Sequence, residues 1–109
     1  MAEQSPAGED LETLKARILA ETARIPWREL QRFFAGGRAI SVSPGLDLVE
    51  VASAMALDDG ARVENWMSAG KLGQVADSRA AEWYEANVLM WAVVLKPWVL
   101  VQPIMRDAL

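Results

Sequence analysis

LMWAVVLKPWVLVQ, Leu89 to Gln102, is the longest apolar stretch of the chain, with Lys96 its one charged residue and Pro97 its one breaker. Its richness in Val, Trp and Leu suits a pleated, buried surface better than a helix. Laid out straight at ~3.3 Å per residue it would span roughly 46 Å, whereas a domain of this size has a radius of gyration near ~13 Å. The stretch therefore has to fold back, and Pro97, with fixed φ and no amide donor, is where a ladder breaks most easily. This predicts two strands, Met90 to Leu95 and Trp98 to Gln102. A mirror-type two-residue turn needs positive φ, which proline cannot adopt, so the join is a bulge, a type I turn or a cis-proline turn.

Upstream of this pair, Asp77 or Ser78 caps a predicted helix running to about Asn87, with Ala80 and Trp83 inward. Lys71 to Val75 reads as a short strand. Ala61 to Ala69 is a helix burying Val63, Trp66 and Met67, capped by Asp58 or Asp59 and stopped by Gly70. Ser43-Pro44 reads as an N-cap followed by proline in the first turn of a largely buried helix through Leu57, striped by Leu48, Val51, Ala52 and Met55. Ala39 to Ser43 alternates as a half-buried strand does. Further back, Pro26 to Ala35 reads as a short helix ended by Gly36-Gly37. Asp10 to Ala23 reads as an amphipathic one, with Leu11, Leu14 and Ile18 on its apolar face. Residues 1–9 are small, polar and acidic and are expected to be a disordered tail ahead of a single domain spanning residues 10–109. The expected fold is α+β: about five helices with a small, mainly antiparallel sheet.

Composition narrows the chemistry. The 109 residues contain no Cys and no His, which excludes disulfides, thiolate catalysis and most transition-metal sites. Any reaction would have to rest on carboxylates, Lys15, Tyr84 or hydroxyls. The apolar stretch is too short and too interrupted to cross a bilayer, which takes ~20 residues, and no signal-peptide pattern opens the chain. Both features favour a cytoplasmic protein without membrane contact. The net charge of −4 comes from Glu3, Glu9, Asp10 and Glu12, and the rest of the chain is neutral but segregated. Residues 13–40 hold Lys15, Arg17, Arg24, Arg28, Arg32 and Arg38 against Glu21 and Glu29. Residues 41–64 hold Asp47, Glu50, Asp58, Asp59 and Glu64 against Arg62. Such segregation invites a partner, a second copy of the chain included.

Three groups of residues are candidates for function. Arg24, Arg28 and Arg32 are four apart, and on a helix continuing past Pro26 they would form a ridge able to grip phosphates, a carboxylate or an acidic surface. The plainer alternative is a solvated face with local pairs from Glu21 to Arg24 and Glu29 to Arg32. Asp47 and Glu50 share a helix face and, with Asp58 and Asp59, offer oxygen ligands, but capping already accounts for both Asp58 and Asp59. The tryptophans fall mostly at core positions. Trp98 is the exception, since on a continuous strand it would share a mixed surface with Lys96, Leu100 and Gln102. A nearly uncharged strand pair also risks an exposed edge, which self-association would cover.

The order helix, strand, helix, tight turn, helix, strand, then a hydrophobic strand pair is similar to that of a winged-helix domain, with Leu46–Leu57 and Ala61–Ala69 as the helix-turn-helix. At residue level the resemblance is to a different group. IPWRELQRFFAGG (Ile25–Gly37), GLDLVEVASAMALDD (Gly45–Asp59), NWMSAGKL (Asn65–Leu72) and WAVVLKPWVLVQ (Trp91–Gln102) resemble a small bacterial family, domain of unknown function 2288, over about residues 10–102. That resemblance implies no activity, ligand or catalytic residue. The sequence thus points to a non-enzymatic protein-interaction or adaptor domain that self-associates. Arg24, Arg28, Arg32, Lys96 and Trp98 are its candidate contact residues, and no cofactor is implied. A winged-helix nucleic-acid binder is the alternative, disfavoured because Ala61–Ala69 offers only Arg62 against Glu64 to neutralise phosphates.

Overall fold

Pro97 does turn the chain back: the Lys96–Pro97 peptide is cis, and Leu95 pairs with Trp98 across it in an antiparallel hairpin. The computed structural model describes residues 10–105. The two arms of the hairpin, β4 (Leu89–Leu95) and β5 (Trp98–Pro103), lie at the centre of a five-stranded sheet. The other strands are β1 (Ala23–Pro26), β2 (Ala39–Val42) and β3 (Leu72–Gln74), and the spatial order is β1-β4-β5-β2-β3. The β2–β5 pairing is parallel and the other three are antiparallel, so the sheet is mainly antiparallel as expected.

Helices cover both faces of the sheet, which is why β5 is buried on both sides. On one face Val99 and Val101 of β5, with Met90 and Ala92 of β4, pack under Trp27, Leu30, Ala80 and Trp83. The covering elements there are a 3-10 turn (Trp27–Leu30), α2 (Gln31–Ala35) and α5 (Asp77–Ala86). On the other face Leu100, Val93 and Val42 pack under Leu14, Ile18, Leu48, Val51 and Ala52. Those come from α1 (Leu11–Glu21) and α3 (Leu48–Ala56), with α4 (Gly60–Ser68) adding Val63 and Trp66. None of these helices is long and apolar enough to cross a membrane.

The five helices and the mainly antiparallel sheet agree with the sequence reading, while one strand and several boundaries do not. The helix expected from Asp10 to Ala23 stops at Glu21, and Ala23–Pro26 becomes β1, a strand the reading missed. Proline disfavours the helical region for the residue before it, so Ile25 is pushed to extended backbone, where β4 offers a ladder opposite Met90. The helix expected from Pro26 to Ala35 is split: the Trp27 N–H is drawn to Val88 O (2.8 Å), and the chain tightens into the 3-10 turn before α2 begins. Ser43-Pro44 does not start α3. Asp47 does, its Oδ1 accepting from the N–H groups of Val49 (2.9 Å) and Glu50 (3.3 Å). Asp59 caps α4 as expected, but α5 begins after Ala76 with no side-chain cap, so neither Asp77 nor Ser78 has that role. The winged-helix resemblance does not extend to the sheet, since β3 and β4, which would flank the wing, are separated by β2 and β5. The expected disordered tail, residues 1–9, lies outside the described residues.

Candidate functional site

The five candidate contact residues do not gather in one place. Arg24, Arg28 and Arg32 stand on β1, the 3-10 turn and α2, so the helical ridge is not formed. Arg24 is exposed on the edge strand, opposite Trp91 in the ladder, with its guanidinium 5.9 Å from the Trp91 ring centre. Arg28 is held down on α5. Its Nε donates to Tyr84 O (2.9 Å) and its Nη2 to Glu85 O (3.3 Å), so it supplies cationic donors to the open carbonyl end of that helix. Arg32 lies over the Phe33 ring at 4.9 Å. Lys96 stands at the hairpin tip, beside a cavity of about 440 Å³ that it shares with Asp58, Asp59 and Trp98. Trp98 is half-buried against the core, and Leu100 and Gln102, its neighbours on that strand face, are buried. The mixed surface expected around Trp98 is therefore occupied by the protein's own packing.

The groups that were candidates for chemistry are also engaged. Lys15 Nζ donates to Glu50 Oε2 at 3.0 Å, and Arg62 Nη2 approaches the same oxygen at 4.0 Å, so one carboxylate ties α1, α3 and α4 together. Asp47 and Asp59 are spent on caps. Among the described residues no cluster of three or more His, Cys, Asp or Glu is placed to hold a metal ion. The Tyr84 ring lies under Arg28, 5.0 Å from its guanidinium carbon.

What the fold does assemble is an apolar groove of about 260 Å³ lined chiefly by Leu19, Leu46, Leu48, Val49 and Trp91. Trp91 is 38 % exposed and Leu19 is 64 % exposed, large apolar surface for a monomer to leave in water. The buried Gln102 lies at its base and donates from Nε2 to Ser43 O (2.9 Å) and Leu46 O (2.7 Å), fixing the turn that carries Leu46 into the groove wall. Arg24 stands at one rim and Asp47 at another.

Among the described residues no strand pairs with the sheet edge beyond β1. β1 pairs with β4 only from Leu89 to Ala92, leaving Val93 to Leu95 beyond its reach. The Val99 N–H donates to Arg38 O on the β2 side. By the alternation of an antiparallel ladder, its partner Val94 turns its backbone groups to that uncovered edge. The Val94 side chain is exposed as well. Sequence reasoning placed the tryptophans mostly in the core, with Trp98 as the exception, and did not single out Trp91. The available signal was the alternation along β4, which puts Trp91 on the face opposite Met90 and Ala92.

Comparison with known proteins follows the same lines as the fold. The chain is similar to PA1075 from Pseudomonas aeruginosa, whose structure was solved in solution by NMR. The two share 46% sequence identity over 93% of this chain and 94% of that one, with a TM-score of 0.76. No curated protein matches the chain. A family model described as a protein of unknown function matches residues 13–103, and the chain belongs to that family, DUF2288.

Proposed function

We propose that the chain is a non-enzymatic interaction domain whose partner is a second copy of itself, seated on the Trp91 groove and the adjoining sheet edge. The observation that carries this reading is Trp91, a large ring left 38 % exposed beside Leu19 where the β1 edge strand ends. An exposed apolar groove next to unpaired strand backbone is a surface that proteins ordinarily cover. Charge supports a self-complementary partner. The groove has a cation on one rim, Arg24, and an anion on another, Asp47, so a two-fold arrangement can set the Arg24 of each copy near the Asp47 of the other. The absence of Cys and His, and the commitment of Lys15 to Glu50, support a role without catalysis.

Nucleic acid fits less well. Arg62, the one cation of α4, is turned onto Glu50 and the Trp66 ring, and Asp58, Asp59 and Glu64 surround that helix with like charge to phosphate. Sizing by light scattering over a range of protein concentrations tests the proposal. A mass that rises to twice the monomer supports it, and a monomer at every concentration counts against it.

A further inference from the structure

A large cavity lies on the α5 side of the sheet, away from Trp91, and nothing in the proposed self-association uses it. It is a cleft of about 600 Å³ between the ends of β2 and β5, the edge strand β3 and the first turn of α5. Its polar lining is cationic and hydroxylic apart from Gln74, whose amide nitrogen donates to Gly37 O at 2.9 Å. Lys71 and Arg79 contribute two cations, and Ser41, Ser43 and Ser78 contribute three hydroxyls. Among the described residues no carboxylate lines it, in a chain whose net charge is −4. Asp77, the nearest acid in sequence, lines a different cavity with Phe34 and Val75.

Most of these donors are uncommitted, Arg79 being the exception, with its guanidinium beside Glu82 and 6.0 Å from the Trp83 ring centre. Among the described residues Lys71 has no ion pair, and the Ser41 and Ser78 hydroxyls have no hydrogen-bond partner. Ser43 Oγ only accepts, from the Gly45 N–H at 3.4 Å, so its proton is free to be donated. Arg79 is 3.8 Å from Glu82, an exposed pair that a ligand can displace at little cost. Trp83 gives an independent sign. The residue is only 6 % exposed, yet among the described residues its indole N–H has no partner and is not one of the buried unpaired atoms, so it stays reachable from solvent, and the cleft is the cavity that Trp83 lines. By contrast the buried indole N–H of Trp27, next to it, donates to Ala80 O at 3.1 Å. The first-turn N–H groups of α5 are left uncapped by Ala76 at the same wall.

We infer that this cleft binds a small phosphate-bearing ligand. A cleft lined by two cations, three hydroxyls and an unpartnered indole N–H is rich in donors, converging on a group with many acceptor oxygens and negative charge. Phosphate presents more such oxygens than a carboxylate does. The volume, within the roughly 300–1,000 Å³ usual for small-molecule sites, leaves room for an organic part beyond the phosphate.

The test is an NMR titration of the full chain with inorganic pyrophosphate at low ionic strength. The expected result is saturable movement of the Trp83 indole and of the Gly73 and Ser78 amides, with a dissociation constant of about 1 mM or tighter. The Trp66 and Trp98 indoles, on the other face of the sheet, stay in place. Lys71→Ala and Arg79→Ala each weaken binding about tenfold. Gly73→Leu abolishes it by filling the cleft, since a Cβ at Gly73 meets nothing within 4 Å and the substitution has room to fold. The unshifted Trp27 indole reports that each variant is folded. Absence of saturation overturns the inference. So does movement centred on exposed Arg24 and Arg32, or binding that survives both Gly73→Leu and Lys71→Ala.

Discussion

Gln102 is the polar side chain on which the groove side of the molecule depends. It is 8 % exposed, and its amide nitrogen donates to two carbonyls of the Ser43–Leu46 turn that β-ladders and helices leave unpaired. Replacing it with leucine keeps the volume but, among the described residues, leaves Leu46 O without a donor and Ser43 O with only the Leu46 N–H. Gln102→Leu is expected to lower unfolding free energy by about 1–3 kcal/mol, read as a reduced urea midpoint at unchanged slope. Asp10 behaves differently because it is exposed. Hydrogen bonds from the Thr13 N–H and hydroxyl hold its carboxyl below the usual carboxylate range. A folded-state pKa below the unfolded one contributes stability that is present above the unfolded value and is lost as pH falls through the folded one. The first turn of α1 should therefore loosen only under acid conditions, at pH below about 4. The Thr13 amide resonance should follow that transition, and in Asp10→Asn it should not.

At the scale of elements, α3 shows what a sequence can and cannot say. Ser43-Pro44 carries the local signature of a helix start, yet the helix waits for Asp47. The turn between them is closed by the Leu46 N–H donating to Ser43 O (2.9 Å) and pinned by Gln102, more than fifty residues away, so the deciding contact is absent from any local window. Asp47→Ala is expected to cost about 0.5–2 kcal/mol of stability and Ser43→Ala distinctly less, an order that paired thermal or urea melts would check. If Ser43→Ala proved the more damaging, the cap would be misassigned. β1 was hidden for a similar reason. Its four residues sit between two helical patterns and become a strand only because Leu89–Ala92 lies alongside. The pre-proline position of Ile25 was the one local hint. By contrast the β4–β5 hairpin was legible in all but the geometry of its turn, because fourteen nearly uncharged residues interrupted by one proline leave few ways to be buried.

For the whole molecule, the arginine spacing that suggested one ridge is redistributed by β1 and the 3-10 turn, leaving Arg24 at an edge, Arg28 on a helix end and Arg32 over Phe33. What the sequence could not show is which tryptophan remains outside. The sheet has ten face positions on its two central strands between Trp91 and Gln102, and both helical layers together leave Trp91 and Val94 uncovered on opposite faces near the same edge. The segregation of charge along the chain survives in space only in part, since Lys15 and Arg62 are already drawn onto Glu50. Arg24 and Asp47 are the complementary pair that remains at the groove.

The most direct test of self-association through that groove is the light-scattering mass of the wild type and of Trp91→Glu, measured over the same concentration series. The account predicts a concentration-dependent dimer for the wild type and a folded monomer for the variant, because the variant loses the apolar ring that the second copy covers. A wild type that stays monomeric throughout, or a variant that dimerises as readily as the wild type, would contradict it.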